Sequence, residues 1–113
     1  MHRLKCTGWW EQYGYGRQPM ENLELQFLDG RIRGQGLDMV GEFTFDGTLT
    51  GNEVYLLKQY LGKHQIEYHG TSDGEGTYVG VWSGYGFVGG RWLIRVGSVV
   101  GSDQSSTSDI VEL

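Results

Sequence analysis

Apolar and polar residues alternate along most of this chain with a period of two, and no stretch keeps the 3.6-residue apolar period of an amphipathic helix. In NLELQF, Leu23, Leu25 and Phe27 share one face against Asn22, Glu24 and Gln26. In GEFTFD, Gly41, Phe43 and Phe45 share one face against Glu42, Thr44 and Asp46. Similar runs, rich in Val, Ile, Phe, Tyr, Trp and Thr, are separated by glycine-containing turns. They predict strands over 3–12, 21–28, 31–37, 39–46, 52–61, 63–70, 76–83 and 86–97.

The turn residues say how these strands connect. Asp29-Gly30, Asp46-Gly47 and Asp73-Gly74 are pairs that tolerate the positive φ angles of tight hairpins, and Gly62-Lys63 suits a two-residue loop with glycine first. Short loops join neighbours antiparallel, and eight such strands can close on themselves and remove their exposed edges. The expected fold is therefore all-β, an eight-stranded antiparallel up-and-down meander barrel over residues 1–97, with a β-sandwich as the alternative. Residues 98–113 form a polar C-terminal tail of linker composition, whose final DIVEL is a candidate docking segment.

Alternation also assigns faces. Strand one points Leu4, Cys6, Gly8 and Trp10 inward, strand three Ile32, Gly34 and Gly36, and the last strand Trp92, Ile94 and Val96. Asp38 shares the parity of Ile32 and is a candidate carboxylate at the rim of the interior. In YLGKHQIEYHG, residues 60–70, His64 shares a face with Ile66 and Tyr68. A two-residue Gly62-Lys63 loop would set Leu61 opposite His64 and, on the outer face, Lys58 opposite Glu67, an attractive charge pair. That register leaves Val54, Leu56 and Tyr60 facing outward beside Val79 and Val81, a candidate association surface. A three-residue loop instead turns Val54, Leu56 and Tyr60 inward.

Composition narrows the functional classes. With 113 residues the chain makes one domain with one modest core. A formal charge of −5 and the lack of any lysine or arginine cluster disfavour nucleic acid and anionic membranes as partners. The start, MHRLKCTGWW, has no apolar run of signal-peptide length, so cytoplasmic residence is expected, and the single cysteine, Cys6, cannot form an internal disulfide. His2, His64 and His69 are too scattered for a metal site, and His64 and His69 have opposite parity. GYGFVGG is followed by no helix and no Walker lysine, and the acidic turn at 72–76 has too few oxygens for calcium alone. No cofactor is expected.

The interior remains. Trp10, Tyr68, Tyr78, Trp82 and Trp92 converge with His64 and Asp38, an aromatic wall with a few polar groups of the kind that lines small-molecule sites. Inward glycines at 34, 36, 41 and 80 either leave room there or are filled by the large rings opposite.

TGWWEQYG (7–14), DGRIRG (29–34), DGTLTG (46–51) and WSGYGFVGGRWLI (82–94) together make the chain resemble the avidin and streptavidin family of calycin-type, biotin-binding barrels. The resemblance covers about a third of the chain and implies an eight-stranded barrel. Carried over residue by residue, the family's first-strand ligand positions fall on Glu11 and Tyr15, which are not the family's residues, while Trp92 matches a ligand-stacking position.

Three functions follow as expectations. The first is non-enzymatic binding of a small apolar or aromatic ligand inside the barrel by Trp10, Asp38, His64, Tyr68, Tyr78, Trp82 and Trp92. The second is self-association or protein interaction, as a homo-oligomer for instance, through Val54, Leu56, Tyr60, Val79 and Val81. The third is an enzyme with His64 as acid or base beside Asp38.

Overall fold

The computed structural model describes residues 2–84 and 86–100. They form a closed barrel of eight strands, each hydrogen-bonded to its sequence neighbour: β1 (Leu4–Gln12), β2 (Gly16–Leu28), β3 (Arg31–Asp38), β4 (Gly41–Thr50), β5 (Glu53–Tyr60), β6 (Gln65–Ser72), β7 (Thr77–Gly84) and β8 (Phe87–Val99). The barrel closes where β8 lies antiparallel to β1, with Trp92 opposite Trp10 and Arg95 opposite Thr7. The expected all-β meander barrel is thus the fold, and the sandwich is not.

Local chemistry explains where strands start and stop. Asp29 and Gly30, at φ 52° and 80°, make the β2–β3 turn, as their sequence implies. Asp46-Gly47 does not turn: β4 runs through it to Thr50, and the hairpin comes at Gly51-Asn52. Gly47 faces inward opposite Leu56, where a Cβ would sit 1.8 Å from the Tyr55 carbonyl oxygen, so this glycine serves close backbone approach between strands. β2 starts at Gly16 rather than 21. The alternation there is hidden by Pro19 and by a register shift between Glu21 and Glu24, at which Asn22 takes φ 53°. β8 reaches Val99, and Val100 N–H donates to the Arg3 carbonyl at 2.8 Å. The rest of the expected tail, including DIVEL, lies outside the described residues.

The β5–β6 loop corrects the expected register. Tyr60 N–H donates to the His64 carbonyl (3.2 Å), leaving Leu61, Gly62 and Lys63 as a three-residue loop with Gly62 at φ 71°. One extra loop residue flips the whole of β5. Val54, Leu56, Lys58 and Tyr60 all point inward and are buried, and Leu57, not Lys58, faces Glu67. Three of the five expected interface residues are therefore core. Val79 and Val81 do face out and are exposed.

Because successive turns of a meander alternate between ends, the β1–β2, β3–β4, β5–β6 and β7–β8 turns gather at one end of the barrel. The β2–β3, β4–β5 and β6–β7 turns gather at the other. Phe27 stacks on Tyr78 toward this second end (5.8 Å between ring centroids), with Leu25, Ile32 and Ile94 buried in the barrel wall. A continuous run of edge-on and tilted rings, Tyr60–Phe43–Phe45–Tyr68–Trp92, leads from the first end into the barrel, with centroid separations between 5.1 and 5.9 Å.

Candidate functional site

Asp38 ends β3 with an inward side chain at the first end of the barrel, because its parity follows Ile32, Gly34 and Gly36. Its side chain is fully buried. Lys58 reaches it from β5, also inward and 1% exposed, and its Nζ donates to Asp38 Oδ2 at 2.6 Å. The same Oδ2 accepts from Tyr60 Oη at 2.7 Å and from Trp10 Nε1 at 3.0 Å, and Oδ1 accepts from the Val40 amide at 2.9 Å. Strands β1, β3 and β5 are thereby tied across the interior through one carboxylate.

Lys58 has a second partner, the Tyr68 hydroxyl, which accepts from Nζ at 3.1 Å. Around the ammonium stand the faces of Phe43 (4.2 Å to the centroid), Tyr60 (4.9 Å) and Tyr68 (5.3 Å), whose negative quadrupoles complement the cation. A charge in such a place is tolerated because it is both paired and hydrogen-bonded.

The environment sets the protonation chemistry. Burial pulls the Lys58 amine down to about 8, against which Asp38 holds it up by attraction and hydrogen bonding. Burial pushes the Asp38 carboxyl up, but the Lys58 ammonium and the hydrogen bonds from Lys58, Tyr60 and Val40 outweigh it and hold the group below its ordinary value. Tyr60 and Tyr68 are both raised, first by burial; the hydrogen bond that Tyr60 gives Asp38 raises it further, and neighbouring Tyr60 and Asp38 do the same for Tyr68, so both phenols stay protonated.

Beside this cluster lies a cavity of about 70 Å³ lined by Trp10, Gln12, Val40, Lys58, Tyr60, His64, Ile66, Tyr68 and Trp82. Val40 and His64 belong to turns at the first end of the barrel and mark the cavity's side toward that end. Trp10 and Trp82 meet edge to face at 6.0 Å. Trp82 Nε1 donates to the Glu11 carbonyl at 2.8 Å, and the indole lies over Gly89, where a Cβ would come within 2.0 Å of the ring. Gly89 therefore makes the space that Trp82 occupies. On the turns of the same end Tyr13, Tyr15, Met39 and Leu61 are exposed, so apolar surface surrounds the mouth.

The structure sorts the residues expected from sequence. Trp10, His64, Tyr68 and Trp82 line one cavity. Asp38 stands behind it as the partner of Lys58. Trp92 lies deeper, against Tyr68 at 5.1 Å, with Nε1 donating to the Val81 and His69 carbonyls. Tyr78 belongs to the far end, on Phe27. Expected inward glycines do not leave the opening: at Gly36 a Cβ would meet the Phe43 ring at 2.7 Å, and at Gly80 the His69 carbonyl at 1.8 Å.

Lys58 is the important residue that sequence reading missed; Tyr60 faces inward as the three-residue alternative for the β5–β6 loop implies. The signal for Lys58 is its place in the alternation of Val54, Leu56 and Tyr60, against which an outer Lys58–Glu67 pair competes as an explanation of the same residues.

Elsewhere, the acidic turn at 72–76 is a hairpin loop closed on itself. Asp73 Oδ1 accepts from the Glu75 and Thr77 amides, and Ser72 Oγ accepts from Gly74. Cys6 is half-buried, and burial pushes its thiol up to about 11, away from the thiolate. Among the described residues no three His, Cys, Asp or Glu side chains group as metal ligands.

In comparisons with known proteins, no family model, no curated protein and no solved structure matches the chain. The general shape implied by the avidin resemblance is present, an eight-stranded antiparallel closed barrel.

Proposed function

We propose that this protein is a non-enzymatic binding barrel that takes a small, largely apolar or aromatic ligand into the cavity at its first end. The observation that carries the reading is the lining of that cavity: Trp10, Trp82, Tyr60 and Tyr68 supply ring surface, and the buried Lys58–Asp38 pair supplies a fixed polar base. This is the composition of small-molecule sites, apolar walls with few and well-placed polar groups. Rings held by cross-strand packing and by hydrogen bonds to a common carboxylate are pre-organised, so little ordering cost is left for the moment of binding.

The avidin-like, calycin-type reading supports the same mode of use, a ligand inside a barrel, and does not support biotin as the ligand. Glu11 is engaged with Arg17 and Arg91, and Tyr15 is exposed on a turn; neither lines the cavity.

The reading also favours binding over acid–base chemistry. Asp38, the expected partner of His64, gives its oxygens to Trp10, Lys58, Tyr60 and the Val40 amide.

A thermal-shift screen of small neutral ring compounds, followed by tryptophan fluorescence titration, tests the proposal, since Trp10 and Trp82 both wall the cavity. Saturable ligands that raise the melting temperature and perturb fluorescence are expected. Ligands that still bind after Ile66→Trp, which fills the cavity, would place the site elsewhere and refute it.

A further inference from the structure

The polar groups at the cavity base define which ligand atom they are built to receive. Tyr68 is 1% exposed and lines the cavity. Its hydroxyl oxygen accepts from Lys58 Nζ at 3.1 Å, which leaves the phenolic proton to be donated; among the described residues no acceptor receives it. Lys58 Nζ spends one N–H on Asp38 Oδ2 and one on Tyr68, and its remaining direction is bounded by ring faces. A buried donor without an acceptor is costly, and the cost is recovered when an acceptor arrives.

Charge narrows the choice. Lys58 and Asp38 sum to zero at 2.6 Å separation, and the rest of the cavity is aromatic or aliphatic apart from Gln12 and His64. An anionic ligand would leave a net buried negative charge there, and a cationic one would leave a positive charge facing the Lys58 ammonium. Either is far more costly than a neutral group. Size narrows it further: about 70 Å³, less than half of the roughly 150 Å³ that encloses a benzene, holds about two ordered waters or the oxygen-bearing end of one small ring whose remainder projects toward the mouth.

Resting on the reading of this cavity as a ligand site, we propose that its ligand class is a small neutral ring compound bearing an acceptor oxygen. Tyr68 donates its hydroxyl proton to that oxygen, and the Trp10 and Trp82 rings hold the apolar body. Tyr68 is then the residue that determines specificity, and the Lys58–Asp38 pair fixes its orientation by occupying its acceptor side.

The test uses four probes of one ring size on the full chain. They are tetrahydrothiophene (no strong acceptor), tetrahydrothiophene 1-oxide (acceptor, no donor), cyclopentanecarboxylate (anion) and cyclopentylammonium (cation), each titrated by calorimetry or tryptophan fluorescence. The oxide is expected to bind about tenfold tighter than tetrahydrothiophene, and the two ions more weakly than either. In Tyr68→Phe, which keeps the ring, the oxide should fall to about the affinity of tetrahydrothiophene while tetrahydrothiophene itself is unchanged. The wild-type ratio needs no variant, so a poorly folding Tyr68→Phe leaves the test intact. Equal binding of the oxide and its parent, tightest binding by either ion, or an unchanged ratio in folded Tyr68→Phe overturns the inference and leaves the cavity reading standing. Binding by none of the four, parent included, removes the cavity reading and this inference with it.

Discussion

Replacing Lys58 by methionine tests the pair at the centre of the barrel, because methionine keeps much of the apolar stem and removes the cation. In the native protein Asp38 is fully buried and balanced by an ammonium at 2.6 Å. Without it the carboxylate keeps hydrogen bonds from Trp10, Tyr60 and the Val40 amide but has no counter-charge. Removing one partner of a buried ion pair costs about 3–5 kcal/mol, a large part of the roughly 5–15 kcal/mol that holds a domain folded. For a chain of 113 residues that amounts to a melting temperature lower by about 10–20 °C. The double variant Asp38→Asn/Lys58→Met removes both charges and leaves an amide oxygen for Trp10 and Tyr60, so it should recover to within about 2 kcal/mol of the native protein. Urea melts of the native protein, both single variants and the double variant give the coupling directly. Acid supplies an internal check: in Lys58→Met burial is no longer opposed by the ammonium, so the Asp38 carboxyl rises and this variant should regain stability as pH falls toward that of a protonated carboxyl. A loss below about 1 kcal/mol for Lys58→Met, or strict additivity in the double variant, would refute the account of the pair.

Two further predictions follow from the same geometry. Lys58 has its folded value lowered to about 8 from 10.5, so the unfolded chain binds the extra proton between those values and stability should rise with pH across that window. Tyr60 and Tyr68 are raised in the fold, so their contribution is present below the ordinary tyrosine range and lost above it, turning the profile down beyond about pH 10. Isothermal urea melts from pH 7 to 11 check both limbs, and Lys58→Met should abolish the rise. Gly89→Ala places a methyl within 2.0 Å of the Trp82 ring, so it should cost about 1–3 kcal/mol and shift tryptophan emission as the indole moves, an outcome read by denaturant melts with fluorescence detection.

Most of the fold was legible because half-buried strands write their faces into the sequence with a period of two. Leu23, Leu25, Phe43 and Phe45 are buried as their alternation implies. What misled was local chemistry with two physical uses. Glycine after aspartate marks a turn at Asp29-Gly30 but a close strand approach at Asp46-Gly47, and only the neighbouring strand distinguishes them. Lysine opposite glutamate suggests a surface pair, yet the inward carboxylate of Asp38, twenty residues away in sequence, is the partner that Lys58 takes. The aromatic half of the candidate site was readable in Trp10, Tyr68 and Trp82. Of its polar half, Asp38 was readable from the parity it shares with Ile32, but Lys58 was not, because the pairing of two buried charges is specified by long-range geometry and leaves no periodic mark.

The proposed seat of the ligand is the first end of the barrel, among Trp10, Lys58, Tyr68 and Trp82. A crystal structure of the full chain soaked with tetrahydrothiophene 1-oxide decides whether it is occupied. The ring should lie beside Trp10 and Trp82 with its oxygen within hydrogen-bond distance of Tyr68 Oη. A cavity closed by rearranged side chains, or a probe bound only on the outer face, would contradict it.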